Sequence, residues 1–108
     1  MTNAHRMPEA ELQRLVAEMC AWLDLPHFHV LNSKGMRAGW PDCTIIGTRV
    51  IFRELKSEFG RLTPEQTEIG YRLKTAGADW AVWRPRDWLN GSIEKELRLL
   101  KGQPKLPL

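Results

Sequence analysis

Asp42, which follows Pro41, stands twelve residues before Glu54, and Lys56 lies two positions further on. Two carboxylates and a lysine are the ingredients for holding a hard divalent cation beside a compact positive charge. What lies between them decides whether they meet. Gly47-Thr48 is a turn signal flanked by apolar runs, so Asp42–Ile46 and Arg49–Lys56 are predicted as strands of one hairpin. Pairing about that turn sets Ile46 against Val50, Thr44 against Phe52 and Asp42 against Glu54. Side chains alternate between the faces of a strand, so Asp42, Glu54 and Lys56 share one side. Like charges directly opposed destabilise a sheet. A divalent cation between them reverses the sign, and oxygen ligands of this kind suit Mg²⁺ or Mn²⁺. The plainer alternative is two surface acids at a frayed sheet end, neutralised by Lys56.

A third acid comes from the element before the hairpin. From Pro8 to about Leu23, Leu12, Leu15, Val16, Met19, Cys20 and Leu23 recur at helical spacing. Glu9 continues the Leu12/Val16/Met19 stripe, whereas Glu11 and Glu18 point about 180–200° away from it. Glu9 is thus the inward acid, either reaching the carboxylate pair or complementing the helix dipole. His27–Leu31 alternates as a short strand. Asn32–Gly39, with its Gly, Ser, Lys and Arg, is expected to be a mobile basic loop. "TPEQ" announces a second helix, with Thr63 as N-cap, Pro64 in first position and Gln66 closing a capping box. That helix is expected to reach Ala76, with Gly77 after it. Ala78–Arg84 is a fourth strand broken by Pro85. Asp87–Gly91 is a turn, and Ser92 caps a last helix to Lys101. Residues 1–7 and 102–108 read as flexible ends. The helix between the third and fourth strands permits a parallel crossover, giving an α/β sheet flanked by helices.

The chain has 108 residues, 16 Lys+Arg against 13 Asp+Glu, and a formal net charge of +3. That length suits one domain, and burying a charge in it is a noticeable cost. The mild basicity permits a polyanionic partner without requiring one. No apolar run approaches the roughly 18 residues that span a bilayer, so no membrane partner is expected. The polar start predicts no secretory leader. Cys20 and Cys43 lack metal-ligand spacing and read as reduced thiols of a cytoplasmic protein.

Pro41-Asp42, a hairpin-length gap, Glu54-Leu55-Lys56 and Gln66 early in the next helix resemble the PD-(D/E)XK nuclease superfamily. More narrowly, they resemble its VRR-NUC branch, whose stand-alone members occur in phages. The likeness runs from Glu9 to the "WRPRDW" stretch at Trp83–Trp88. It implies one restriction-endonuclease-like domain with an α-β-β-β-α-β core and mixed sheet. It further implies that Asp42, Glu54 and the backbone carbonyl of Leu55 ligate Mg²⁺ or Mn²⁺. By the same resemblance, Lys56 orients or activates the attacking water, Glu9 is the acid of the first helix, and Gln66 is the glutamine that follows the ExK motif. The implied activity is metal-dependent DNA endonuclease, on branched DNA such as Holliday junctions, by a homodimer in the bacterial cytoplasm. A catalytically silent DNA-binding domain, and a ribonuclease or nicking accessory of a larger complex, are the competing functions.

Ser33, Lys34 and Arg37 precede Asp42 and, with Lys56, are candidates for contacting DNA phosphates; a solvated basic loop is the bland alternative. His29 is a candidate neighbour of the site. Arg49 and Arg53 fall on the opposite sheet face. Trp80–Trp83 reads as packing, and Trp88 as a weak candidate for base stacking. In the last helix, Ile93, Leu97 and Leu100 form a stripe that is core or a two-fold interface.

Overall fold

The computed structural model describes residues 3–30 and 34–102. After a 3-10 turn at Ala4–Arg6 come α1 (Glu9–Trp22), β1 (His27–His29), β2 (Cys43–Ile46) and β3 (Val50–Leu55). They are followed by α2 (Pro64–Thr75), β4 (Asp79–Trp83), α3 (Pro85–Leu89) and α4 (Ser92–Lys101). The four strands form one sheet in the order β1-β2-β3-β4. β1, β2 and β3 run antiparallel, and β4 returns parallel to β3 after the α2 crossover. This is a mixed sheet flanked by helices, the α/β class expected. The predicted hairpin register holds, with Ile46 opposite Val50 and Thr44 opposite Phe52.

The two sheet faces differ. Cys43, Ile45, Ile51, Leu55 and Trp83 join Leu12, Val16 and Cys20 of α1 and Ile93, Leu97 and Leu100 of α4 in the core. The other face carries Phe28, Thr44, Phe52 and Trp80 in one row across the strands. There α2 lies so close that a Cβ on Gly70 would come within 2.5 Å of the Trp80 ring. Thr63 caps α2 as predicted: its Oγ1 accepts from the Gln66 N–H at 3.1 Å, and Gln66 Oε1 accepts from the Thr63 N–H at 2.9 Å.

Several expectations are corrected. The first strand ends at His29; Leu31 lies outside the described residues, as do Met1, Thr2 and 103–108. The segment before α1 is no loose arm, because Met7 is buried in the core. Asp87–Gly91 is not simply a turn. Pro85 ends β4 but also opens α3, with Asp87 Oδ2 accepting the Arg84 N–H at 2.8 Å. Ser92 is not the cap of α4: Gly91, at φ 84°, holds that place, and Ser92 donates its N–H to Asn90 Oδ1. The Ile93/Leu97/Leu100 stripe is fully buried against the sheet, which removes it as an interface. Cys20 and Cys43 are buried free thiols. Among the described residues no helix is long and apolar enough to cross a membrane.

Arg53 lies under the sheet and is 2% exposed. It donates to Asp79 Oδ1 at 3.0 Å and to the Asp79 carbonyl at 2.9 Å, pairs with Glu96, and stacks 5.2 Å from the Trp83 ring centre. Trp83 Nε1 donates to the other Glu96 oxygen. A buried guanidinium needs such partners, since an unpaired one would be strongly destabilising. This network ties β3, β4 and α4 together on the face away from Glu54.

Candidate active site

Asp42 and Glu54 sit at the end of the β2–β3 hairpin where the strands leave the sheet. Asp42 Oδ2 accepts the Leu55 N–H at 2.8 Å, so its carboxyl is held by the opposite strand. Glu54 is 1% exposed. Its Oε1 accepts from Gln66 Nε2 at 3.2 Å, while its Oε2 is buried without a hydrogen-bond donor. Burial pushes the Glu54 carboxyl up to about 9, helped by a hydrogen bond and charge repulsion from Asp42; Lys56 pulls the other way and Glu9 adds to the rise. At neutral pH with no cation present, the pair therefore retains a proton. The carboxylates predicted to oppose each other do meet, with Glu54 buried and Asp42 half-buried rather than as a frayed surface pair.

Glu9, in the first turn of α1, approaches this site by charge. Its pKa is raised by burial and then by Asp42, with Lys56 opposing. Among the described residues, however, no three His, Cys, Asp or Glu side chains converge closely enough to hold a metal ion. Asp42 and Glu54 meet, whereas Glu9 is exposed rather than turned inward as its stripe predicted, and only its charge links it to the pair. Lys56 follows β3 on the Glu54 face, half-buried, with its N–H bonded to the Trp83 carbonyl at 3.1 Å.

Gln66 does two jobs with the two ends of one amide. Its oxygen closes the α2 cap and its nitrogen holds Glu54. His29 also belongs here, through the backbone. Its Nδ1 lies 3.0 Å from the Asp42 carbonyl and 2.8 Å from Gln13 Nε2. The same Gln13 amide nitrogen lies 2.5 Å from His29 Nε2, so it sits against both ring nitrogens. Gln13 stands one turn after Glu9 on α1, and this link fixes α1 against the Asp42 strand. Sequence reasoning missed Gln13, although its i+4 relation to Glu9 was visible.

The "WRPRDW" stretch supplies a second support that went unpredicted. Arg84 Nη1 donates to the carbonyls of Ser57, Glu58 and Gly60 at 2.8, 3.2 and 2.8 Å. Glu58, itself buried, accepts from the Arg86 N–H and pairs with its guanidinium at 2.7 Å. Together they clamp the loop immediately after Lys56. Trp88 packs against the core instead of facing this region.

Of the basic loop, Ser33 lies outside the described residues, and Lys34 is exposed. Arg37 pairs with Glu68 of α2 at 2.9 Å, both side chains being largely in solvent. Arg37 also lines a cavity of about 320 Å³ together with Val30, Gly39, Trp40, Asp42 and Gln66. Glu65 lines the cavity as well, and Gly39 presses against it: at φ 105°, a Cβ on Gly39 would lie 2.4 Å from the Glu65 carbonyl of α2.

Comparison of the chain with models of known protein families, with curated proteins and with solved structures returned no match.

Proposed function

We propose that this chain is a metal-dependent DNA endonuclease of the PD-(D/E)XK type, VRR-NUC branch, and that it cuts branched DNA as a homodimer. The observation that carries the reading is the pairing of buried Glu54 with half-buried Asp42, with a donorless oxygen on Glu54 and Lys56 alongside. Such an arrangement is repulsive unless a proton or a cation lies between the acids. The α-β-β-β-α-β order, with Asp42 immediately ahead of β2 and Glu54 on the adjoining β3, supports the restriction-endonuclease-like reading.

The donor set fits a hard cation: all oxygen, two carboxyls, one atom lacking a partner. Asp42, Glu54 and the Leu55 carbonyl would hold Mg²⁺ or Mn²⁺, with Glu9 nearby for a second ion. Bound there, the cation supplies Lewis-acid polarisation of a phosphate oxygen and a more acidic water. The chain's own residues do the rest. The Leu55 N–H and Gln66 amide orient the two carboxyls. Lys56 places a compact positive charge where phosphate charge develops and can orient the attacking water. His29 and Gln13 keep the Asp42 backbone from shifting. Lys34 and Arg37, with Lys56, provide phosphate contacts, Arg37 by exchanging Glu68 for DNA.

The test is cleavage of four-way junction, flap, duplex and single-stranded DNA with Mg²⁺ or Mn²⁺. Cleavage lost on chelation and in Glu54→Gln is the expected result. Failure to cut any of the four with either metal overturns the reading.

A further inference from the structure

We propose that the cavity beside the carboxylate pair seats one unpaired nucleobase against Trp40. The inference rests on the nuclease reading for the identity of the ligand and names the form its substrate must take.

Trp40 directly precedes Pro41-Asp42 and is 42% exposed. Its ring meets Phe52 nearly edge-on, 5.6 Å between centres at 82°. That contact braces the indole and leaves aromatic surface open to the cavity it lines. Its neighbours in the chain are fixed too: Pro41 is buried, and the Gly39 backbone is pressed against Glu65. The result is a rigid stacking platform. Every base has a π-face, so such a platform binds bases without demanding a sequence.

Position and size select the occupant. The same cavity is walled by Asp42 and Gln66, residues of the carboxylate site, and by Arg37. A ligand filling it reaches the site through one phosphodiester link. Among the described residues Arg37 is held by an exposed ion pair with Glu68, which contributes little and is readily exchanged for a phosphate. The volume of about 320 Å³ lies at the small end of ligand sites, suited to a single nucleotide rather than a helix. A base stacked and paired in a duplex cannot enter such a space; it must be unpaired or turned out of the stack. The nucleotide next to the cut is therefore taken as a single-stranded unit, as at a branch point, flap or strand end.

The test uses the full chain in chelator, so that binding is read without cleavage. A thymidine oligomer carrying one 2-aminopurine is titrated with protein, and quenching reports stacking. Trp40→Leu keeps an apolar contact with Phe52 but removes the aromatic surface. It is expected to abolish quenching and weaken single-strand binding by about tenfold or more, with little change for paired duplex. Trp40→Phe restores part of both. Tyr71→Ala, an exposed aromatic of α2 away from this cavity, changes neither. Unaltered quenching in a folded Trp40→Leu, or equal losses for single strand and duplex, overturns the proposal. Quenching that depends on Trp40 in a protein that never cleaves with Mg²⁺ supports the base seat and sinks the nuclease instead. Cleavage that proceeds with no Trp40-dependent quenching overturns the base seat alone.

Discussion

Glu54 is where the chain accepts a local cost. Its carboxyl, raised to about 9 by burial and by Asp42, holds a proton in the folded protein that it releases far more readily when unfolded. The stability this contributes is present below the unfolded carboxylate pKa, near pH 4.5, and is lost progressively as pH rises towards 9. Metal-free protein should thus melt at lower temperature at pH 8 than at pH 5.5. Glu54→Gln should flatten that dependence and raise the pH 8 melting temperature by several degrees, on the order of 2 kcal/mol. Mg²⁺ should stabilise the parent chain and not this variant. Thermal melts at the two pH values, with and without metal, check all of this. Asp42 needs gentler treatment, because Asp42→Ala leaves the Leu55 N–H without its acceptor. Asp42→Asn keeps an acceptor and is expected to lose cleavage by about a hundredfold or more while staying folded. Glu9→Gln should lower cleavage well beyond Glu11→Gln, since the charges of Asp42 and Lys56 act on Glu9. Equal small effects in steady-state rates would return Glu9 to the role of dipole partner. The opposition of Asp42 and Glu54 was legible because a two-residue period and one turn determine a hairpin's register. The depth of Glu54's burial was not, because α2, which brings Gln66 to it, lies outside the hairpin.

At the scale of elements, α2 shows how one residue can satisfy a local rule and a distant one together. The capping box explains Gln66 fully from four consecutive residues, so spacing alone gave no sign of its hold on Glu54 and only the family resemblance placed it at the site. Substitution separates the two roles. Gln66→Glu preserves the cap acceptor but replaces the donor facing Glu54 with a third carboxylate. Its melting temperature should match the parent near pH 5 and fall below it at pH 8, with cleavage reduced about tenfold or more. Thr63→Ala should instead cost about 1 kcal/mol at both pH values. Denaturant melts of the two variants tell cap from site. The missed α3 has a similar origin: Pro85 is a legitimate stop for β4 and an equally good first residue for a helix. Only the packed fold shows that Arg84, just ahead of it, reaches back to three carbonyls after Lys56. The α4 stripe was legible as apolar but not as to its partner, and the sheet proved to be that partner.

For the whole molecule, assembly decides how a single site is used. One 108-residue chain carries one Asp42–Glu54 pair, whereas opposed cuts across a four-way junction need two. Isologous pairing of two copies would supply them with two-fold symmetry. Ile93, Leu97 and Leu100 are committed to the core, so that contact has to come from surface left open elsewhere. The net charge of +3 is too small to hold DNA by general attraction, so affinity should rest on a patch around Lys34, Arg37 and Lys56. If about four phosphates are neutralised per protomer, log K should fall against log salt with a slope near −4 for each protomer. Arg37→Gln should make that slope shallower by about one, provided the guanidinium leaves Glu68 for DNA. A dimer should show twice the monomer slope on a junction that engages both copies and the monomer slope on a single strand too short to reach the second copy, apart from the weaker dependence of single strands. Light scattering at micromolar protein gives the mass, and salt titrations on the two DNAs give the slopes. A mass of two chains with a doubled slope and preference for the junction over linear duplex is the expected outcome. A single chain of unchanged slope that cuts both equally would leave one site acting alone, and a nuclease without the symmetry to resolve a junction.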